Sequence, residues 1–188
     1  MATKREQIVA TTCNLMETQG YHATGLNQIL AESGAPKGSL YYYFPGGKEE
    51  LAIEAVECTS RAIAMRIEAV LAAHADPVTA IVGLLHDLAG HVEASGYAAG
   101  APITAIALEA ASTHEQLRLA CHDAYTRWQE VIAAKLAANG VEGTRATQLA
   151  TLIIAAIEGA ITLSRCQRSV APLHAVAAEV ETLLRTLR

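Results

Sequence analysis

Thr24-Gly25-Leu26-Asn27-Gln28-Ile29-Leu30-Ala31-Glu32-Ser33-Gly34-Ala35-Pro36-Lys37-Gly38-Ser39-Leu40-Tyr41-Tyr42-Tyr43-Phe44 is the stretch that decides the fold. Thr24 stands where an N-cap would precede the helically spaced Leu26, Ile29 and Leu30, and Gly34 ends that segment. Pro36 suits the first turn of a following helix, where its missing N–H is unpaired anyway, and Pro45-Gly46-Gly47 stops that helix after Phe44. Two short helices joined by a Gly-containing turn make a helix-turn-helix, which presents its second helix to a DNA major groove.

The second helix has the chemistry for that role. Leu40 and Phe44 lie four apart and share a face that can pack on Leu26, Ile29 and Leu30, while Gly38 and Tyr42 point the other way. Gly38 does not hold the backbone off the groove, Lys37 can meet a phosphate or a guanine edge, and tyrosyl hydroxyls can bond phosphates or bases. Thr24 and Lys48 open the flanking helices, whose N-terminal N–H groups favour a phosphate oxygen. Three consecutive tyrosines could also be plain packing. Successive helical residues diverge by about 100°, however, so at least one tyrosine must be exposed.

Outward from this stretch the chain reads as helical throughout. Lys4 to Thr18 carries Ile8, Cys13 or Thr12, Leu15 and Met16 at helical spacing, with Gly20 as a helix stop. After Gly47 a long helix runs from Lys48 through Leu51, Val56, Ile63, Ile67 and Leu71 to a break at Ala75-Asp76-Pro77. Further segments span Val78 to Ala94, Ile103 to Ser112, Glu115 to Ala138, Thr144 to Gln167, and Leu173 to Leu187. The expectation is an all-α fold of about nine helices, with a DNA-binding domain at 1–50 and a second domain at 51–188.

Composition agrees with helices and limits the function. The 188 residues are 52% hydrophobic but only 4% aromatic, and the dominance of Ala, Leu, Ile and Val favours closely packed helices. A formal charge of −5 counts against non-specific nucleic-acid binding, so DNA contact must rest on a local patch. Cys13, Cys58, Cys121 and Cys166 form no CxxC pair and read as buried thiols, with neither a zinc site nor a disulfide framework implied. No cofactor is expected. The longest apolar stretch, Leu152 to Ile157, falls short of the roughly 20 residues that span a bilayer. A cytoplasmic protein without a membrane partner is expected.

The run Gly34 to Leu51, Gly-Ala-Pro-Lys-Gly-Ser-Leu-Tyr-Tyr-Tyr-Phe-Pro-Gly-Gly-Lys-Glu-Glu-Leu, resembles the signature of the tetracycline-repressor (TetR) family, and the likeness extends over residues 4 to 51. Pro-Lys-Gly followed by Pro-Gly-Gly-Lys is similar to its LmrA/YxaF-like branch, whose members sense drugs or flavonoids. Gly100 to Glu109 resembles the opening of helix six in that branch. The family consists of all-helical homodimers that release palindromic operator DNA when a small molecule enters the C-terminal domain. By that resemblance Thr24, Lys37, Gly38, Ser39, Tyr41, Tyr42, Tyr43 and Lys48 stand at DNA-contacting positions. Ala35 and Pro36 replace the Val and Ser frequent in the family, which leaves the operator sequence open.

An effector pocket needs apolar walls with a few polar anchors. His86, His122, Tyr125 and Trp128 fall on segments rich in Leu, Val and Ala, and Glu158 and Thr162 lie four apart in a run of Ile and Ala. These six are the candidate ligand residues for a small, drug-like or aromatic effector. Each has a plainer reading: Glu158 as a surface or paired carboxylate, Trp128 as core or interface, the histidines as surface or core groups. No HExxH or comparable spacing suggests metal. The last two helices carry Leu149, Leu152, Ile153, Ala156, Ala160 and Leu163, then Val176, Val180, Leu183, Leu184 and Leu187. That is more apolar surface than one chain buries, so they are expected to form a homodimer interface.

Ligand entry is expected to swing the long helix from Lys48 and change the separation of the two recognition helices. Two alternatives stand beside this reading: a DNA-binding regulator without small-molecule control, and an α-helical small-molecule enzyme or carrier. No GxSxG, phosphate loop or Cys-His pair supports the latter.

Overall fold

The computed structural model describes residues 3–110 and 112–186, and these form nine α-helices with no strand among them. In chain order they are α1 (Lys4–Ala23), α2 (Leu26–Ser33), α3 (Lys37–Tyr43), α4 (Gly47–Ala72), α5 (Pro77–Ala94), α6 (Thr104–Ala110), α7 (Glu115–Ala137), α8 (Gly143–Gln167) and α9 (Ala171–Arg185). They group into two compact units. One comprises Met1–Arg61 with Ala101–Ala124, the other Ala62–Gly100 with Tyr125–Arg188, and α4 and α7 contribute to both.

In the first unit α1 packs on α2, α3 and α6. Its core joins Ile8, Val9 and Leu15 of α1 to Ile29 of α2, Leu40 of α3, Phe44 and Leu51. Leu26, Leu30 and Tyr43 pack against it half-buried. Helix α1 begins at a capping box, with the Thr3 hydroxyl accepting from the Glu6 N–H and the Glu6 carboxylate accepting from the Thr3 N–H. Gly20 interrupts it (φ 82°, ψ 179°), which a residue with a Cβ rarely adopts. Gly34 closes α2 in the left-handed conformation at φ 62°.

Three local expectations need correction. Thr24 does not cap α2: Gly25 is the N-cap residue, and Thr24 instead terminates α1, its N–H donating to Tyr21 O. Pro36 lies one place outside α3, as its N-cap, where ψ 144° is the extended conformation. Helix α6 ends at Ala110 and Ser112 lies in a turn, so the segment expected to reach Ser112 is shorter.

In the second unit α5, α8 and α9 pack together. Each turns a stripe inward at helical spacing: Val78, Ile81, Leu85, Ala89 and Val92; Leu149, Ile153, Ile157 and Ile161; Leu173, Ala177, Val180 and Leu184. Asp76 caps α5, accepting from the Thr79 N–H at 2.8 Å, and Glu142 caps α8, accepting from the N–H groups of Thr144 and Arg145 at 2.9 Å each. Helix α8 is, by length and composition, apolar enough to cross a bilayer, which the short run Leu152 to Ile157 did not reveal. Its buried stripe packs within its own chain, however, as a core helix does.

The face offered by the last two helices is also narrower than expected. Leu149, Ile153, Ala160, Val180 and Leu184 are buried in their own chain, and Val176 and Leu183 are half-buried. Leu152 and Leu163 remain 50% and 52% exposed. Leu187 lies outside the described residues. Of the four cysteines only Cys121 is buried; Cys13 is intermediate, Cys58 and Cys166 are exposed, and all four are free thiols.

Candidate nucleic-acid interface

Helix α3 is divided cleanly between its two faces. Leu40 and Phe44 are fully buried, while Lys37, Gly38, Tyr41 and Tyr42 are exposed. These four lie at i, i+1, i+4 and i+5 and so form one continuous strip on the helix surface. Tyr42 is 80% exposed and Tyr41 52%, as the requirement for at least one exposed tyrosine allows. Tyr43 is half-buried, its ring edge-on to Tyr42 at 5.0 Å and to Phe44 at 6.4 Å, so it supports Tyr42 from behind. Ser39 is half-buried, and nothing fills the space where a Cβ on Gly38 would stand.

Thr24 and Lys48 are placed differently from the α3 strip. Thr24 is completely buried and its hydroxyl donates to Gly20 O at 2.7 Å. Lys48 bends inward: its ammonium donates to His22 O at 3.3 Å and sits 4.5 Å over the Tyr21 ring. Burial lowers the Lys48 pKa, and the nearby Glu109 carboxylate works against that. Both residues therefore shape the turn between α1 and α2 in this structure. Arg5 is likewise engaged, paired with Glu54 and stacked on Phe44 at 5.4 Å. The free positive charge on the α3 strip is Lys37.

The groups around that turn were missed in the sequence. Tyr21 also meets His114 edge-on at 5.2 Å, His114 Nδ1 lies 3.7 Å from Glu49 Oε1, and the Glu109 carboxylate accepts from the His22 N–H. Partners so far apart in sequence, 87 positions for His22 and Glu109, leave no local signal; Glu109 was visible only as the end of the Gly100 to Glu109 resemblance.

The six ligand candidates lie on three helices, His86 on α5, His122, Tyr125 and Trp128 on α7, and Glu158 and Thr162 on α8. Trp128 is buried with its ring edge-on to Tyr125 at 5.3 Å. Thr162 is exposed, and its hydroxyl donates to the backbone oxygen of a half-buried Glu158. His122 is exposed, as is His86, whose Nδ1 lies 3.2 Å from Nδ1 of His174. Among the hollows of the second unit, one of about 440 Å³ is lined by Pro77, Val78, Leu136, Val141 and Leu184, and another of about 500 Å³ lies between Leu71 and Ala72 of α4 and Arg127, Val131 and Ala134 of α7. None of the six candidates lines either hollow.

Two short helices, each seated on the core through one face, with a polar, exposed strip on the second, define a helix-turn-helix DNA-binding protein. Comparison with known proteins gives the particular kind. Residues 8–55 match the family described as bacterial regulatory proteins, tetR family, and residues 77–179 match the family described as transcriptional regulator LmrA/YxaF-like, C-terminal domain. The chain is 44% identical over 181 residues to the HTH-type transcriptional regulator YxaF of Bacillus subtilis strain 168, covering 96% of this chain and 95% of that one. It is 41% identical to the HTH-type transcriptional regulator LmrA of the same organism, covering 96% of each. Its fold matches crystal structures of E. coli NemR in reduced form (TM-score 0.85, 22% identity, 96% of each chain) and of a TetR regulator from Chloroflexus aurantiacus (TM-score 0.81, 28% identity, 97% of this chain and 94% of that one). The chain belongs to the TetR family, with a C-terminal domain of the LmrA/YxaF-like kind. It is a DNA-binding transcriptional regulator and not an enzyme.

Proposed function

We propose that the protein is a cytoplasmic repressor that binds a palindromic operator as a homodimer and releases it when a small, largely apolar molecule binds. The observation that carries this is the α3 strip of Lys37, Gly38, Tyr41 and Tyr42, set on a core of Leu40 and Phe44. In this reading α3 enters the major groove, Lys37 and the tyrosines meet base edges and phosphates, and Gly38 permits close approach. Residues 1–50 are the DNA-binding domain and 51–188 the sensing and dimerisation domain. Thr24 and Lys48 act by fixing the α1–α2 turn and by bringing helix N-termini toward the phosphates.

One copy of this strip offers little charge. A two-fold pair presents it twice, at half-sites about 34 to 36 Å apart. The exposed face of α8 is the proposed partner surface. Tyr125 and Trp128 on α7 and Glu158 on α8, with His86, His122 and Thr162, are the residues proposed to sense the effector. The signal passes along α4, which contributes to both units.

Selection of duplexes from a random pool by the purified chain tests the reading. An inverted repeat should emerge, and Lys37→Ala and Tyr42→Ala should each weaken its binding by about tenfold, the scale of a lost base or phosphate contact. Unchanged affinity in both variants would remove α3 from the interface.

A further inference from the structure

The turn that ends α1 is held from an unexpected direction. At Gly20 the chain leaves the helical conformation, so the backbone groups of Gly20, Tyr21 and His22 need partners other than a helical ladder. Three are met locally: Gly20 O by the Thr24 hydroxyl at 2.7 Å, Tyr21 O by the Thr24 N–H at 3.3 Å, and His22 O by the Lys48 ammonium at 3.3 Å. The fourth, the His22 N–H, donates to Glu109 Oε2 at 2.7 Å. Glu109 is on α6, 87 positions away, and it is the one partner of the four from outside the first 51 residues.

The fit depends on both ends. A Cβ at position 20 would push the end of the Glu109 side chain from its present place, and the positive φ at Gly20 itself favours glycine. A carboxylate accepting a backbone N–H makes a charge-assisted bond, stronger and shorter than a neutral one. Lys48, which the same carboxylate favours in its charged form, completes a chain of contacts from α6 through His22 to the first turn of α4.

We infer that Glu109 is a positioning residue for DNA binding: its carboxylate ties α6 to the Gly20–His22 turn and thereby fixes the start of α2 and the placement of Lys48. The inference rests on the operator-binding reading above.

The test uses the full chain and the duplex that the wild type itself enriches. Glu109→Ala should weaken binding by about tenfold or more, the loss expected for a hydrogen bond to a charged group. Glu109→Gln keeps an acceptor oxygen at the same reach and should bind within about threefold of the wild type, whereas Glu109→Asp, one methylene short, should behave like the alanine variant. In ¹⁵N-histidine-labelled protein the His22 amide proton should be shifted downfield in the wild type and in Glu109→Gln, and return upfield in the other two. Wild-type affinity in Glu109→Ala overturns the inference, and so does a glutamine variant as weak as the alanine one. Should Glu109→Ala fail to fold, the comparison of Gln with Asp decides. If the wild type enriches no duplex, the DNA-binding reading has failed and this inference falls with it. If it does enrich one and Glu109→Ala holds that duplex as tightly, only the role of Glu109 has failed.

Discussion

Gly38 separates what α3 does for the fold from what it does on DNA. A side chain there would touch nothing in its own chain, and its φ is not in the left-handed region. Glycine inside a helix costs about 0.5 to 1 kcal/mol relative to alanine, so Gly38→Ala should raise stability by that amount in thermal unfolding. The added methyl faces the groove, and operator affinity in a gel-shift titration should fall by about tenfold, the scale of one disturbed base contact. A more stable variant that binds as well as the wild type would show that Gly38 is not at the interface. The α3 strip was legible from spacing alone, because Leu40 and Phe44 fix one face and the 100° step forces the tyrosines apart. The inward turn of Thr24 and Lys48 was not, because it depends on His22, Tyr21 and Glu109, which neither residue shares a local motif with.

Helix ends were legible to within a few residues wherever chemistry punctuates the chain: Gly34 closing α2, Asp76-Pro77 opening α5, Pro45-Gly46 stopping α3. At Gly34 the φ of 62° costs any other L-residue about 1 to 2 kcal/mol, so Gly34→Ala should lower stability by about 1 kcal/mol despite open space around the site. Equal denaturation midpoints for the two proteins would contradict that. The Glu142 cap makes a pH prediction. Its hydrogen bonds from the Thr144 and Arg145 N–H groups hold its carboxyl below the usual carboxylate range. A depressed pKa in the folded state means the cap stabilises fully above the unfolded value of about 4.3 and loses its effect as pH falls through the lower folded value. The thermal midpoint of the wild type should therefore exceed that of Glu142→Ala at pH 6, and the gap should narrow as the pH falls below the unfolded value of about 4.3. Glu6, held low by the Thr3 hydrogen bonds, and Glu115, held low by Arg118, behave alike in both proteins, so the difference isolates Glu142. A gap that persists into acid would mean that α8 is not capped by an ionised carboxylate.

At the scale of the molecule the question is how so acidic a chain, at −5, selects DNA. With Lys37 the free cation of the α3 strip and Arg5 and Lys48 engaged internally, one strip offers few phosphate contacts, and linking two can raise the overall avidity about 10²- to 10⁴-fold over one alone. A dimer surface on the last two helices remains part of the proposal, since periodicity shows that α8 and α9 are apolar on several faces but not which face the chain itself consumes. The structure uses Ile153, Ile157 and Ile161 internally and leaves Leu152, Ala156, Gly159, Leu163 and Cys166 on one stripe of α8. Leu163→Glu changes a side chain that its own fold leaves half exposed, so the helices should form normally while the protein runs as a monomer in sedimentation. Operator affinity should then fall by about a hundredfold or more, because each half-site is read alone. Thiol alkylation gives an independent view of the same face. Cys58 is exposed and should react readily, whereas the Cys121 thiol, which burial pushes up to about 11, should stay inert as an internal reference. Cys166 should be protected in the wild type and react as fast as Cys58 in Leu163→Glu. A Leu163→Glu protein that still sediments as a dimer, or a wild type whose Cys166 is already as reactive as Cys58, would move the subunit interface off this stripe of α8.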